Sequence, residues 1–341
     1  MNFYQCNKEH PKVGVLLGDH AGIGPEITAK MFHKLGGSLE CIPVVIASYP
    51  IFLKEMELFA PEQIQNIRLI SDPDEAEWDS KTIYFIDLPG FRSEDIPAGE
   101  ITSEAGRLMV RAFEVSLDYA VKKKIDGILL CPLRKESMVL YNPQYPSEFP
   151  LFDDMLGVQR MGCVKRAGPR YYDCIVGHVP LREVPDKITE EAIRHSVVQM
   201  HDSMKKFGIE HPRIGISALN PHAGQGGDIG DDEIKVITPA IQKLCMEGYD
   251  VYGPYPADTM TISAERENLY GLIYMFHDQL LVCLKSAHMD DNIAYFVHPH
   301  INFPMASMGH GCAPDIAGKG IANEANMCFC IVDFTDVLKG K

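Results

Sequence analysis

The stretch Val13-Gly-Val-Leu-Leu17-Gly-Asp-His-Ala-Gly-Ile-Gly-Pro-Glu26 decides the fold class. Val13–Leu17 is an apolar run of strand length, closed by a turn that contains Gly18, Gly22 and Gly24. Pro25 then stands at a first helical position, and Glu26 follows where the positive end of a helix favours a carboxylate. The spacing predicts a helix over Pro25–Leu35. A strand, a glycine turn and a helix make half of a βαβ unit, and the same alternation recurs downstream. Strands are expected at Val44–Ala47, Ile83–Ile86, Gly127–Cys131, Arg213–Ala218 and Gly271–Phe276, and helices at Glu104–Lys123, Glu190–Phe207 and Glu233–Met246. Thr189 precedes Glu190 and Glu191 as an N-cap, and Gly36–Gly37 and Gly248 stand where helices end. This alternation predicts an α/β fold with a largely parallel sheet. Tyr141–Phe152, rich in proline and aromatic residues, is the least regular segment and reads as a crossing between domains.

A chain of 341 residues is long enough for two domains. Its charge, 32 basic against 47 acidic side chains, is −15, which makes nucleic acid and anionic membrane surfaces poor partners. An anionic substrate therefore needs local positive charge, from a metal or from a few Lys and Arg. No run approaches the ~18 apolar residues of a membrane span. The opening MNFYQCNKEHPK has no apolar signal region, so a cytoplasmic protein is expected. Ten cysteines occur without a CxxC pair, and Cys131 and Cys283 lie in apolar runs, as reduced thiols do.

Three sets of residues carry chemistry. The run His310-Gly-Cys-Ala-Pro-Asp-Ile-Ala-Gly-Lys-Gly-Ile-Ala-Asn323 has no apolar period and mixes glycines with one carboxylate, Asp315. A carboxylate there suits paired ribose hydroxyls and repels a phosphate. His178, His222 and His277 each stand at or just beyond the end of an expected strand, the edge where open α/β sheets gather ligands. Three neutral imidazoles could bind Zn²⁺ or a similar ion and leave positions open for substrate oxygens, although their wide spacing is equally that of separate structural histidines. Gly253-Pro-Tyr-Pro-Ala-Asp258-Thr259 is a rigid loop that ends in a helix-capping pair. The turn Leu17–Glu26 lacks the G-x-G-x-x-G pattern, so a Rossmann dinucleotide site is disfavoured.

The segments GDHAGIGPEI, LNPHAGQGGDIG, GPYPADT, MFHDQ and HGCAPDIAGKGIAN occur in one order, and this ordered set resembles the PdxA family, the 4-hydroxythreonine-4-phosphate dehydrogenases, over roughly residues 12 to 330. The last run is also similar to the adenosine-binding loop of isocitrate and isopropylmalate dehydrogenases. The resemblance implies a two-domain isocitrate/isopropylmalate dehydrogenase-like α/β fold with a cleft between the domains. One domain would comprise residues 1–133 plus 291–341 and carry the cofactor loop. The other, 134–290, would carry the metal ligands and the dimer interface. The implied activity is NAD-dependent oxidation of a small anionic hydroxy acid, with decarboxylation as a possible second step. His310, Gly311, Ala313, Asp315, Ile316 and Asn323 would bind NAD. His178, His222 and His277 would hold one divalent ion (Zn, or Mg, Mn or Co), with His277 given by the partner in a homodimer. Lys285 and Asp258 would be catalytic, and Lys285, Asn292, Arg134 and Ser147 would contact substrate.

This chain departs from the family pattern in the substrate residues. Leu130-Cys-Pro-Leu-Arg-Lys135 has Arg134 where an amide is expected. Tyr145-Pro146-Ser147-Glu148 lacks the family's substrate-binding histidine. Met305 stands where an arginine would grip the substrate phosphate, and GDPAG has become Gly18-Asp19-His20-Ala21-Gly22. The expected substrate is therefore another hydroxy acid, such as a sugar acid, its phosphate, or a cyclic dihydrodiol carboxylate. A non-catalytic ligand-binding relic and a phosphate acyltransferase-like enzyme of the same fold are the alternatives.

Overall fold

The computed structural model describes residues 4–6 and 8–341. Residues 1–3 and 7, part of the opening stretch read above as lacking an export signal, lie outside the described residues. The chain divides into two compact units, Phe3–Gly162 with Ile293–Lys341, and Cys163–Asn292.

The first unit begins β1 (Lys12–Leu16), α1 (Gly24–Leu35), β2 (Ile42–Ala47), α2 (Tyr49–Phe59), β3 (Ile67–Leu69) and β4 (Ile83–Asp87). It continues through α3 (Ser103–Val121), β5 (Gly127–Leu130), α4 (Lys135–Tyr141) and α5 (Glu148–Leu156). The second unit holds β6 (Gly162–Ala167), β7 (Arg170–Val176), α6 (Val184–Lys187), α7 (Glu190–Lys206), β8 (Arg213–Ser217), α8 (Thr238–Met246), β9 (Asp250–Tyr255), α9 (Met260–Glu267), β10 (Gly271–Phe276) and α10 (His277–Ala287). The chain then returns to the first unit with β11 (Asn292–Val297), β12 (Met305–Met308) and α11 (Ala325–Lys339).

Strands of the first unit run in the order β3-β4-β2-β1-β5-β12-β11, parallel except for the β11/β12 pair. The β2 strand is buried throughout and β1 is buried after its first residue, as parallel strands covered on both faces are. In the second unit the order is β6-β7-β10-β8-β9, with only β6/β7 antiparallel. The expected strands and helices are present within a few residues of their predicted bounds, and Thr189 caps α7 by accepting from the Ala192 N–H. Among the described residues no helix is long and apolar enough to cross a membrane. None of the ten cysteines is in a disulfide.

The domain boundary differs from expectation. It falls at residues 162/163 and 292/293 rather than 133/134 and 290/291. Packing explains the shift: Tyr141–Phe152 is no crossing, because α5 begins at Glu148 and drives Phe152 into the first unit's core. The Phe152 ring meets Phe113 of α3 at 5.3 Å and Phe296 of β11 at 5.0 Å, both edge-on. A buried phenylalanine contributes about 1.5–3 kcal/mol, so this segment belongs with the unit it packs against.

Candidate active site

In the second unit, β7, β10 and β8 are neighbours and parallel, with Phe276 in register with Val176 and Ile273 with Ile216. Their C-terminal ends therefore share one edge, and the chain leaving each end carries one of the three histidines. His178 is two residues past β7, His277 opens α10 directly after β10, and His222 follows β8. The rings of His178 and His277 lie 4.8 Å apart. The Nδ1 of His277 is 2.7 Å from Asp278 Oδ1, an arrangement that leaves Nε2 facing away from the carboxylate. Gln279 fixes the start of that helix: its Oε1 accepts from the Met275 N–H at 3.1 Å and the Ser217 hydroxyl at 3.4 Å, while its Nε2 donates to the Ala218 carbonyl at 3.2 Å.

His222 stands on unusual backbone. His222, Ala223, Gly224, Gln225 and Gly226 all have φ between 45° and 73°, one left-handed turn. The three non-glycine residues carry roughly 1–2 kcal/mol of strain each. Glu233, buried beneath the loop, accepts from the Leu219 N–H at 2.9 Å, the Asn220 N–H at 2.8 Å and the Asn220 amide at 3.0 Å. Charge-assisted bonds of this kind contribute about 1.5–3 kcal/mol apiece, enough to offset the strain. Gly224 is required here, since a Cβ at that position would lie 2.6 Å from Glu233 Oε2.

The three histidines do not form a finished ligand set in one chain. Among the described residues, no group of three His, Cys, Asp or Glu side chains is disposed to hold a metal ion. The expected convergence of three rings is thus, in a single chain, a pair. The donor chemistry of that pair fits a borderline divalent ion, because two imidazoles at this spacing can share one cation with bonds of about 2 Å.

Lys285 is partly buried on α10, and Asp258 is exposed between β9 and α9. The capping pair expected at Asp258-Thr259 does not form: Thr259 is the N-cap of α9 but makes no side-chain cap bond, because its hydroxyl turns back to the Pro256 carbonyl at 3.4 Å. Asn292 is buried, and its amide donates to the carbonyls of His288 and Met289. It seals the end of the helix that carries Lys285.

In the first unit the run His310–Asn323 is irregular backbone between β12 and α11, as its lack of period predicts. It lies against the β1–α1 turn. Ile23 N–H donates to the Cys312 carbonyl at 3.0 Å, and a Cβ on Gly22 would come within 2.8 Å of Cys312 Cβ. The far end is clamped from α1. Glu26, buried, accepts the Ala322 N–H at 2.8 Å, and Lys30 joins it at 2.7 Å while donating to the Gly320 and Ala322 carbonyls. Within the run, Asp315 and Gly311 are exposed, Ala313 and Ile316 are partly buried and close a turn, and His310 Nε2 is buried without a hydrogen-bond partner. That orphaned nitrogen and the exposed carboxylate fit an adenosine ligand. Asn323 also has a local task, since its Oδ1 accepts from the Ala325 N–H at the start of α11.

Asp19 is fully buried in the β1–α1 turn, with Oδ1 accepting from the Ala21 N–H at 3.0 Å and Oδ2 unpartnered. Burial pushes its pKa up to about 6, against the Ala21 bond and the Arg134 charge, which lower it. Burial likewise holds the neighbouring His20 down at about 4. Arg134 donates to the Gly99 carbonyl at 2.8 Å, and Ser147 sits at the N-cap of α5 without a side-chain cap bond. Met305 is buried in β12 opposite Phe296, a position with no access for a cation to meet a phosphate.

Glu26 as a loop clamp, Lys30, Glu233 and Gln279 were not singled out by the sequence. Glu233 reads only as the first residue of the expected helix Glu233–Met246. Gln279 lies inside MFHDQ, but only the parallel pairing of β8 and β10 gives it something to bridge.

A dehydrogenase-class α/β scaffold with this equipment has known counterparts. The crystal structure of 4-hydroxythreonine-4-phosphate dehydrogenase from Klebsiella pneumoniae matches with a TM-score of 0.82 and 28% identity, over 96% of this chain and 99% of that one. The D-threonate 4-phosphate dehydrogenase of Cupriavidus necator is 31% identical over 324 residues, covering 93% of this chain and 94% of that protein. The 4-hydroxythreonine-4-phosphate dehydrogenase of Desulforapulum autotrophicum is 28% identical over 325 residues, or 94% of each. The chain is an oxidoreductase. Residues 39–332 match the family described as pyridoxal phosphate biosynthetic protein PdxA, and the chain belongs to it.

Proposed function

We propose that this protein is an NAD- and divalent-metal-dependent dehydrogenase of a phosphorylated hydroxy acid, and that a D-threonate 4-phosphate-like acid is favoured over 4-hydroxythreonine-4-phosphate. The observation that carries the reading is the histidine edge: three neighbouring parallel strands each followed by one histidine, with the rings of His178 and His277 4.8 Å apart. His178, His222 and His277 are the metal ligands of this proposal. The proposal includes a homodimer in which a second copy of the chain completes the site, although His277, expected from the resemblance to come from that copy, stands beside His178 in the same chain.

His178, His222 and His277 would hold a divalent ion, which would keep most of its charge and lower the pKa of a chelated alcohol. Bound NAD supplies the hydride acceptor. The chain's own residues do the remainder. Asp278 orients His277 through Nδ1, and Gln279 fixes the helix start on which both stand. Lys285 brings positive charge to an anionic group of the substrate, against a bulk charge of −15 that opposes it. Asp258 is the candidate for moving the proton at the reacting hydroxyl, being exposed and on a rigid loop. Arg134 and Ser147 are the candidate substrate contacts of the first unit. Asp315 would accept from ribose hydroxyls and repel a 2′-phosphate, and His310, Gly311, Ala313, Ile316 and Asn323 would line the same ligand. Oxidation at the carbon β to a carboxylate would leave a β-keto acid, which can lose carbon dioxide.

Met305 and Tyr145–Glu148 depart from the family pattern, but both candidates carry the same 4-phosphate, so these residues do not separate them. The preference rests on the 31% identity to a D-threonate 4-phosphate dehydrogenase. The test is NADH formation from a panel of phosphorylated and free 2- and 3-hydroxy acids with Zn²⁺, Mn²⁺ or Mg²⁺. D-threonate 4-phosphate should turn over faster than 4-hydroxythreonine-4-phosphate. NADH from neither, with every metal tried, would refute the proposal.

A further inference from the structure

We infer that Glu233 is a positioning residue for His222, holding the left-handed turn in the one conformation that presents the imidazole for metal binding. The inference deepens the reading above and rests on His222 being a metal ligand. Three observations carry it. First, the backbone from His222 to Gly226 is left-handed throughout, a conformation L-residues leave unless something holds them there. Second, Glu233 is buried and spends its carboxylate on the two residues that lead into the turn, through the N–H groups of Leu219 and Asn220 and the Asn220 amide. Asn220 is tied down further by its bond to Asp232 Oδ2 at 2.8 Å. Third, the turn closes directly on the carboxylate, since a Cβ at Gly224 would lie 2.6 Å from Glu233 Oε2. An imidazole on such a turn is preorganised only while the acceptor beneath it remains. Without the carboxylate three donors lose their acceptor, and the non-glycine residues of the turn relax toward ordinary φ.

The test uses the full chain, freed of metal by chelation and titrated with Co²⁺ by calorimetry and visible absorption. NAD affinity and circular dichroism serve as references. Glu233→Ala should weaken Co²⁺ binding about 10- to 100-fold and alter the absorption bands, with NAD affinity unchanged within about twofold. Glu233→Gln keeps an acceptor for the two backbone N–H groups but sets an amide against the Asn220 amide, and a loss of about three- to tenfold is expected. Wild-type Co²⁺ affinity and spectrum in Glu233→Gln and in folded Glu233→Ala would overturn the inference. So would a parallel loss of NAD binding, which marks general damage. If Glu233→Ala does not fold, Glu233→Gln decides alone. His222→Ala with undiminished Co²⁺ affinity would instead overturn the ligand reading beneath the inference, so the two failures are distinct.

Discussion

The histidine-bearing loop Leu219–Gly230 and the glycine-rich loop His310–Asn323 answer the same problem in opposite ways. Each is a long irregular segment at the edge of its own unit's sheet, and each is fixed by one buried glutamate from the start of a helical segment. In the glycine-rich loop positive φ falls on Gly318 and Gly320, which adopt it at no steric cost, and on one other residue, Ala313, while Lys30 accompanies Glu26 in holding the loop's carbonyls. In the histidine loop it falls on three residues other than glycine, His222, Ala223 and Gln225. The histidine loop thus carries more backbone strain, and in the proposed function that strain sits where an imidazole meets a metal ion. A ligand bond tolerates little angular error, whereas hydrogen bonds to a ribose tolerate more.

The largest effect is expected at His222. His222→Ala should lower kcat by about a thousandfold or more, the scale of losing metal activation of the alcohol, with the NAD dissociation constant within about twofold of wild type. Steady-state rates with a fluorescence titration of NAD decide it, and undiminished turnover would remove the metal assignment. In the other loop, Asp315→Ala should cut the preference for NAD over NADP by about tenfold to a hundredfold, the worth of charge-assisted bonds to the ribose hydroxyls. An unchanged ratio would contradict the ribose role. Glu26→Gln sharpens the contrast between the clamps: NAD affinity should fall about three- to tenfold while Co²⁺ affinity stays, because Lys30 still holds the loop's carbonyls. Equal losses of both would show that the two clamps are not independent.

The smallest effect concerns stability. Burial holds Asp19 protonated up to about pH 6, above its ordinary range, so the folded chain binds this proton more tightly than the unfolded chain. Asp19 therefore makes the fold lose stability as pH rises from about 4 to 6. His20, held near 4 by burial, acts in the opposite sense over the same window, so the wild-type profile is nearly flat there. Asp19→Asn should gain a few degrees in Tm relative to wild type on going from pH 4 to pH 7.5, about the scale of 1–2 kcal/mol. A difference in Tm independent of pH would show that Asp19 carries no such proton.

Much of the fold was legible because strand and helix periodicities are local. The apolar run Val13–Leu17 and the Pro25–Glu26 helix start, for example, announce β1 and α1 without help from the rest of the chain. The boundary at 162/163 was not legible, since it depends on Phe152 finding Phe113 and Phe296, contacts between residues far apart in sequence. The histidine edge was half legible. His222 and His277 follow strands that were readable, whereas β7, the strand before His178, was not among those expected, and that β7, β10 and β8 are neighbours is a fact of topology. The clamps were invisible for a further reason: Glu233 and Glu26 look like ordinary helix-start acids until the loops they bind fold over them.

The proposed oxidation needs both a divalent ion and NAD. The most direct measurement is NADH formation at saturating NAD from D-threonate 4-phosphate, before and after treatment with a strong chelator and again after adding back Mn²⁺ or Zn²⁺. NADH formation should fall to background with the chelator and return with the metal. A rate indifferent to the chelator would contradict a metal-dependent oxidation.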